Sequence, residues 1–195
     1  MIASKQPPDR RRQILDAALA CFLERGFVAT SIADIRSRSR ASTGSIYHFF
    51  AGKGALAEAL LREAVTGWAR LSAAALDPQS SPETAIRASV SGLLIWGLAN
   101  PRHVRFMEEM RSLASNDPDL APVRALLDDG QTLGAAQYAG MVAAGAVQNL
   151  PFSIAHALML GPSYSYLRRV GNIPADQADR IADLFATAAW DAVRA

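Results

Sequence analysis

Residues suited to binding a ligand, rather than to breaking covalent bonds, lie close together between Ser31 and Lys53. The set consists of Thr43, Gly44, Ser45, Tyr47, His48 and Lys53. Hydroxyl, imidazole and ammonium groups at these spacings make hydrogen bonds and ion pairs. A polyanion that offers both phosphates and polar base edges is the ligand that such a stretch favours.

Two short helical patterns joined by a few residues must position these side chains. Thr30 or Ser31 caps the first helix, and Ser42 caps the second. Small polar residues at a helix N-terminus suit close approach to base edges in the major groove of DNA. The residues expected to face bases are Thr43, Gly44, Ser45 and His48, beside Ser42. The residues expected to hold phosphates are Lys53, Tyr47, Thr30 or Thr43, and some of Arg10, Arg11 and Arg12.

Two of these assignments have a plainer alternative. Tyr47 would also fit as a core aromatic residue with a satisfied hydroxyl group, and His48 as a merely exposed residue. The charge pattern favours the DNA interpretation, because residues 1–53 hold nine Lys or Arg against four acids, a net charge of +5. The whole chain carries only +2, which leaves −3 for residues 54–195. A basic segment on a mildly acidic body suggests a polyanionic partner, although chance clustering on a solvated face gives the same count.

The composition excludes several other classes of protein. Half of the 195 residues are hydrophobic and 19% are charged, so a substantial core is expected. The single cysteine, Cys21, allows no intrachain disulfide and lies on the apolar side of a helical pattern, which predicts a buried thiol. We find no signal-peptide core before Lys5 and no uninterrupted apolar run of membrane-spanning length. A soluble cytoplasmic protein is the expectation.

Residues that favour the start or the end of a helix recur through the rest of the chain. Ile14, Ala17, Ala18, Cys21 and Phe22 mark one face of a first helix that Gly26 ends. Five X-Pro pairs then precede helical patterns, where proline suits the first helical position. The helices predicted after the basic segment are 53–75, 82–99, 101–114, 118–144, 151–170 and 174–193. With three before them, and no sustained period-two alternation, the prediction is an all-α fold of nine helices.

The N-terminal residues resemble a known family. Thr30-Ser31-Ile32, Ile35, Ser42, Gly44, Ile46-Tyr47, Phe50 and Lys53 are similar to the N-terminal motif of TetR-type transcriptional repressors. The resemblance covers about residues 14–56, and the Gly-x-Ile-Tyr-x-x-Phe end followed by Lys is its most specific part. It implies a three-helix helix-turn-helix domain, residues 1–53, and a C-terminal ligand-binding and dimerisation domain, residues 54–195. It also implies a homodimer that binds a near-palindromic operator and is released by a small ligand.

Six positions depart from that family's pattern, and they are Arg36, Ser39, Arg40, Ala41, Phe49 and Gly54. Arg36 and Arg40 stand in a turn that usually reads Ala-x-x-Ala-Gly-Val, and Arg40 replaces the glycine that takes a left-handed conformation. A non-glycine residue there costs about 1 kcal/mol. Phe49 stands where His or Tyr is common, and Gly54 where an acid is common. Arg36, Arg38 and Arg40 would add phosphate contacts that typical members lack.

The C-terminal part has two expected tasks, pairing and sensing. The last two helices are the best dimer candidates, because two from each subunit form a four-helix bundle with an isologous interface. Their apolar residues are Phe152, Ala155, Met159, Tyr166, Leu167, Ala178, Ile181, Phe185 and Ala189. The alternative is that these stripes bury only against their own subunit. The candidate ligand-binding residues, which would otherwise be plain core, are Trp68, Trp96, Phe106, Met107, Met110, Tyr138, Met141, His156 and Tyr164.

An enzyme is the least favoured class of function. His103, Glu108, Glu109 and His156 are the only acid-base or metal candidates, and their spacing fits no ligand pair. The chain has no glycine-rich phosphate loop and no nucleophile elbow. We therefore expect no catalytic residues, no cofactor and no metal. The remaining alternative is a helical protein-interaction module that does not bind DNA. The effector, the operator sequence and the direction of the ligand's effect are not readable from the sequence.

Overall fold

The computed structural model describes residues 9–171 and 173–195, and in these ranges the chain is helical without strands. The order is α1 Arg10–Arg25, α2 Ile32–Ser39, α3 Thr43–Phe49, α4 Lys53–Leu71, α5 Ala73–Leu76, α6 Pro82–Ala99, α7 Pro101–Leu113, α8 Ala121–Ala143, α9 Phe152–Arg169 and α10 Ala175–Val193. A 3-10 turn, Pro118–Leu120, leads into α8. In the described residues the predicted all-α, nine-helix fold is confirmed, with the helix predicted over 53–75 divided at Ser72 into α4 and α5.

Local capping explains the starts of α1, α2, α3 and α6. Asp9 accepts a hydrogen bond from the Arg11 N–H and so begins α1. Ser81 accepts from the Thr84 N–H, with Pro82 as the first residue of α6. Each cap satisfies one of the N–H groups that a helix leaves without an internal partner. The α1 helix ends at Gly26, whose φ of 79° is accessible to glycine at little steric cost.

The first of two compact units joins the N-terminal helices to a later segment. It comprises the described residues up to Arg62 together with Arg105–Leu126. Its buried side chains come from α1, α2, α3, the start of α4 and the second half of α7; the largest are Ile14, Phe22, Phe27, Ile35, Ile46, Leu56, Leu60 and Phe106. Cys21 is buried among them, as the sequence predicts.

The second compact unit comprises Glu63–Val104 and Leu127–Ala195. Small side chains allow its helices to approach closely. Ala182, Ala186 and Ala189 are buried along α10. A Cβ atom at Gly97 of α6 would lie 2.6 Å from the Leu167 side chain of α9, so a larger residue there would require that side chain to move. The Gln148 N–H donates to the Val193 carbonyl at 2.8 Å, which holds the end of α10 against the segment after α8.

The division into residues 1–53 and 54–195 stays a prediction about function. Compactness groups the chain differently, because α4, α7 and α8 each supply residues to both units. No helix in the described part of the chain has the length and apolar character needed to cross a membrane.

Candidate functional site

The α3 helix presents an open, polar surface at its N-terminus. Ser42 caps it by accepting a hydrogen bond from the Ser45 N–H at 3.0 Å. Thr43 and Gly44 are exposed, and the nearest atom that a Cβ at Gly44 would meet is the Ser42 hydroxyl oxygen, 4.0 Å away. Because Ile46 is fully buried on the opposite side, the small polar residues are left free to meet a ligand.

Aromatic residues continue this surface toward the end of α3. The side chain of Tyr47 is 54% exposed and that of Phe49 is 40% exposed. The His48 ring stands edge-on to Phe49 at 4.9 Å. The sequence predicts burial of one or both phenylalanines, and only Phe50 is buried. An exposed phenylalanine in a major groove can contact a thymine methyl group, so Phe49 joins the candidate surface.

The turn between α2 and α3 holds the strain that the sequence predicts. Arg40 ends α2 with φ 53° and ψ 25°, which is the left-handed conformation. Within residues 9–171 and 173–195 it is the one non-glycine residue with positive φ. Its side chain is exposed, as is that of Arg36. Both guanidinium groups are therefore available to a polyanion beside α3.

Ion pairs join α1 to α2 and explain other charges in the basic segment. Arg38 makes a two-point contact with Glu24, and this contact raises the pKa of Arg38. Arg25 lies 2.7 Å from Asp34. Asp34 also accepts from the Ser31 hydroxyl and N–H in a capping box, and these hydrogen bonds, followed by Arg25, lower the pKa of Asp34. Of the three arginines expected to add phosphate contacts, Arg38 already has a partner.

The arginines at the start of α1 reach the far end of α3. The Arg11 guanidinium carbon lies 5.3 Å from the centre of the Phe50 ring, which is a cation–π contact. Arg12 pairs with Asp16 at 2.7 Å. Arg10 donates to the Gln13 side chain at 3.0 Å. These exposed or half-exposed groups extend the positive surface from α3 along α1.

Thr30 is placed differently from the phosphate-binding role suggested for it. Its side chain is only 2% exposed. The hydroxyl group donates to the Gly26 carbonyl at 2.8 Å and lies 3.2 Å from the Cys21 carbonyl. Because the Thr30 hydroxyl closes the end of α1 from inside, we leave Thr30 out of the proposed DNA contacts and keep Thr43, the other threonine.

Lys53 has a structural partner besides any phosphate. Its ammonium nitrogen lies 3.0 Å from the Phe27 carbonyl oxygen and 3.4 Å from that of Val28. It also stands 4.4 Å from the centre of the Phe27 ring. Lys53 therefore binds the start of α4 to the loop that connects α1 and α2, and a phosphate would meet an ammonium group that is already held in place.

Two contacts of the first unit involve residues that carry no signal in the local sequence. The Phe27 N–H donates to Glu109 Oε1 of α7 at 2.6 Å, across 82 positions of sequence. A Cβ atom at Gly54 would lie 1.9 Å from the Asp119 carbonyl oxygen. This close approach explains why glycine stands where the resembling family often has an acid.

Three candidate ligand-binding residues are core residues of the first unit. Phe106 and Met110 are fully buried and Met107 is 5% exposed. The Phe106 ring stacks on Phe22 of α1 at 5.9 Å, with 18° between the planes. This packing favours the plain-core alternative for these three side chains.

The other candidate ligand-binding residues belong to the second unit. A chain of neighbouring rings runs from Tyr138 to Phe152 at 6.1 Å, to His156 at 5.7 Å and to Tyr164 at 6.5 Å. The Tyr138 hydroxyl donates to the Gln148 carbonyl at 2.8 Å, and burial raises the pKa of Tyr138. Met141 is half-buried on the same helix as Tyr138.

Trp68 and Trp96 are placed by packing against neighbouring helices. The Trp68 indole N–H donates to the Ser89 carbonyl at 3.0 Å. Trp96 is 7% exposed, and a Cβ atom at Gly67 would lie 2.4 Å from its indole nitrogen. An open groove of about 300 Å³ in the same unit is lined by different residues, among them Arg87 of α6 and Asp183 of α10, which pair at 2.6 Å.

The dimer candidates divide into buried and accessible residues. Ala155, Leu167 and Ala189 are buried within their own chain, so these three do not form a surface that a partner can meet. Phe152 packs on Gly134 and Tyr138, and Tyr166 packs on Phe185 at 5.2 Å. The half-buried remainder is Met159, Ala178 and Ile181.

Three large apolar residues of the last two helices face solvent and are not among the dimer candidates predicted from the sequence. They are Ile154 at 49% exposure, Leu158 at 42% and Leu184 at 66%. Ile154 and Leu158 are four residues apart and so lie on one side of α9. That spacing was visible in the sequence, but the helix is apolar on several sides, and only packing tells which side is covered.

Comparisons with known proteins agree with this architecture. Residues 14–60 match the family model described as bacterial regulatory proteins, tetR family. A curated relative, the HTH-type transcriptional regulator BetI of Escherichia coli O139:H28, is 39% identical over 88 residues. That match covers 43% of this chain and 44% of the relative. The match thus spans less than half the length of the curated relatives.

Solved structures extend the likeness to almost the whole chain. The ketosteroid transcriptional regulator KstR2 of Mycobacterium tuberculosis has a TM-score of 0.66 at 19% identity, covering 97% of both chains. The TetR family transcriptional regulator PfmR of Thermus thermophilus has a TM-score of 0.68 at 21% identity, covering 92% of this chain and 95% of that one. At these identities the likeness shows the fold. The relatives and structural neighbours are transcriptional regulators rather than enzymes, the class that the sequence favours.

Proposed function

Because this chain belongs to the TetR family of bacterial regulatory proteins, we propose that it is a homodimeric, DNA-binding transcriptional repressor of the cytoplasm. A small, mostly apolar molecule releases it from a near-palindromic operator. The observation that carries the proposal is the exposed surface of α3, where a capped N-terminus presents Thr43, Gly44 and His48 beside the exposed side chain of Tyr47. Base edges are read by the first three and phosphates are held by Tyr47 and the basic residues around it.

The electrostatic part of the proposal rests on the exposed cations around α3. Arg36 and Arg40 are exposed just before α3, and Arg11, exposed like Arg10 at the start of α1, contacts the Phe50 ring that follows α3. Each phosphate contact releases about 0.9 counter-ion, so operator affinity should fall steeply as salt rises. A single unit makes few base contacts, and pairing supplies a second half-site about 34–36 Å away or a multiple of that distance.

Effector release needs only differential binding. A molecule that binds the arrangement with low DNA affinity more tightly than the other shifts the population away from the operator. The second unit offers Trp68, Trp96, Tyr138, Met141, His156 and Tyr164 as candidate contacts for such a molecule. Their largely apolar surface, with an imidazole and two hydroxyl groups, suits a mostly apolar ligand with one or two polar groups. Electron density for a bound molecule beside Trp96 or His156 would support this part.

The test is binding of fluorescent duplexes that cover the DNA flanking the protein's own coding region. We expect one duplex to bind in a sequence-selective, salt-sensitive manner. Tyr47→Phe should weaken binding about tenfold, because it removes one phosphate hydrogen bond. His48→Ala should instead reduce the preference for operator over random DNA. The matched control is Thr132→Val, which removes an exposed hydroxyl group from α8 and should leave affinity unchanged.

Absence of any salt-sensitive, sequence-selective binding would overturn the proposal. It would favour the alternative function, a helical protein-interaction module. The unusual turn residues Arg36 and Arg40 are the observation behind that alternative.

A further inference from the structure

The loop between α1 and α2 is held from two sides by groups of opposite charge. On one side the Phe27 N–H donates to the carboxylate of Glu109 at 2.6 Å. On the other side the ammonium group of Lys53 binds the carbonyl oxygens of Phe27 and Val28. Glu109 belongs to α7 and Lys53 to α4, so one residue of the loop is fixed by two distant helices.

Other polar groups of this loop are already engaged and cannot easily replace those contacts. The Gly26 N–H donates to the Phe22 carbonyl at 2.8 Å, and the Thr30 N–H donates to the Phe27 carbonyl at 3.2 Å. The Thr30 hydroxyl occupies the Gly26 carbonyl. A buried N–H without a partner costs about 1–3 kcal/mol. The carboxylate of Glu109 therefore supplies the hydrogen-bond acceptor for the N–H of Phe27, whose side chain is fully buried.

Packing places Glu109 firmly at this position. Phe106 and Met110, one turn before and one residue after it on α7, are fully buried in the same compact unit. Phe106 stacks on Phe22, and Phe22 packs on Phe27 at 5.3 Å. The Gly26 Cα is so close that an added Cβ would lie 3.3 Å from Glu109 Oε1. Side chain and backbone contacts thus fix the same loop to the same helix.

We propose that Glu109 is a positioning residue for DNA binding, which sets the α1–α2 loop through the Phe27 N–H and so orients α2 and α3. This inference rests on the proposed function and adds a residue that touches no DNA. The α2 helix begins at Ile32, five residues after Phe27, so a displaced loop displaces the capping box of α2 and the helix that follows it. Operator affinity therefore depends on a carboxylate of α7.

The direction of the change in operator affinity distinguishes this positioning role from a general effect of charge. Removing a carboxylate adds one positive charge to the net balance, which by itself strengthens binding to DNA. Loss of the loop contact has the opposite effect. Asp129→Ala is the matched control, because Asp129 is an exposed carboxylate of α8 in the second unit. It reports the charge effect alone.

The experiment measures operator affinity of the full-length chain for four variants. Glu109→Ala and Glu109→Asp both lose the contact, the second by shortening the side chain without changing its charge. We expect each to weaken operator binding on the order of tenfold. Glu109→Gln keeps an acceptor oxygen and should bind at least as tightly as the original chain, like Asp129→Ala. The salt slope should be unchanged in all four, because no phosphate contact is lost.

Hydrogen exchange of the Phe27 amide tests the contact without DNA. Exchange should accelerate on the order of tenfold in Glu109→Ala and Glu109→Asp and stay slow in Glu109→Gln. If Glu109→Ala does not fold, the comparison of the Asp and Gln variants decides alone. Equal or tighter operator binding by Glu109→Asp would overturn the proposal. Suppose that neither the original chain nor any variant binds DNA, and that Phe27 exchange still responds as expected. The proposed function is then wrong, while the role of Glu109 in positioning the loop is supported.

Discussion

At the scale of single residues, the backbone conformation of Arg40 lowers the stability of the fold, while its side chain adds a positive charge to the surface. Its φ of 53° lies in the region that side chains with a Cβ disfavour, and its guanidinium group is exposed beside α3. A glycine would adopt the same turn without that cost. The backbone alone does not require an arginine here, so we expect its side chain to contribute to the proposed binding of a polyanion.

We expect Arg40→Gly to stabilise the fold and weaken DNA binding at once. Relief of the left-handed conformation should add about 0.5–1 kcal/mol to the free energy of unfolding, which is about 2 °C in melting temperature at this chain length. The salt slope of DNA binding should fall by about one counter-ion. Calorimetry and binding titrations measure the two effects. Arg36→Gln, which removes a charge without strain, should change only the second. A lower melting temperature for Arg40→Gly would contradict the idea.

Residue-scale signals in the sequence were reliable where the physics is local. Ser42 and Asp117 cap the elements that follow them, and Arg40 takes the left-handed turn, because each outcome depends on neighbours within a few positions. The orientation of Thr30 depends on the carbonyl oxygens at the end of α1 that it meets after folding. The choice of Phe50 over Phe49 for the core has the same origin.

At the scale of elements, the start of α4 shows how a glycine can serve tertiary packing. Gly54 lies in the first turn of that helix, where another residue would have a better helix propensity. The Asp119 carbonyl oxygen occupies the space that a Cβ would need. The segment Asp117–Leu120 can therefore lie directly on the backbone of α4.

Gly54→Ala should destabilise the fold although it favours the helix. The expected change in the free energy of unfolding is a loss of about 1–3 kcal/mol, since backbone rather than a flexible side chain must move. Gly130→Ala in α8 is the matched control, because nothing lies within 4 Å of its added Cβ. It should gain about 0.5–1 kcal/mol. Denaturant titration of both variants gives the two signs, and a stabilising Gly54→Ala would show that the segment is not held there.

The α9 helix marks a limit of element prediction. Gly161-Pro162 predicts a kink or a break, and the helix runs unbroken from Phe152 to Arg169 with Pro162 inside it, so the break does not occur. Pro162 is exposed, and so is Leu158, whose carbonyl would otherwise receive a hydrogen bond. Water can satisfy that carbonyl at the surface, so the helix continues. Whether a proline faces solvent is a property of the packed unit and cannot be read from the pair of residues.

At the scale of the whole molecule, the proposed pairing needs an apolar surface that a single chain leaves exposed. Ile154 and Leu158 of α9 and Leu184 of α10 are more exposed than large aliphatic side chains usually are. Exposed apolar side chains of this kind are what an isologous interface covers, and every contact in such an interface occurs twice. The choice of these two helices for the interface stays a prediction from the sequence, while the residues on their outer sides became clear only with the packing.

We expect Leu158→Asp to separate the proposed dimer. Two leucines leave the interface and two carboxylates enter it, so the dissociation constant should rise at least a hundredfold, or about 3 kcal/mol. Operator binding should weaken in parallel, because a monomer meets only one half-site. The control is Leu133→Asp on α8, where leucine is also 56% exposed but on a different helix. Light scattering of both variants across a concentration series distinguishes them. An unchanged mass for Leu158→Asp would place the pairing surface elsewhere.

The sharing of α4, α7 and α8 between two compact units has a consequence for how such a protein can be taken apart or recombined. A fragment ending near Lys53 or Arg62 would lack residues 105–126. Phe22 would lose its ring partner Phe106, and the Phe27 N–H would lose its acceptor Glu109. Grafting the DNA-reading end of this chain onto another body would likewise require two exchanges, one N-terminal and one in the middle of the sequence. Glu109 would have to be transferred together with Phe27, and Gly54 together with Asp119. A single exchange point between the two members of either pair would separate them.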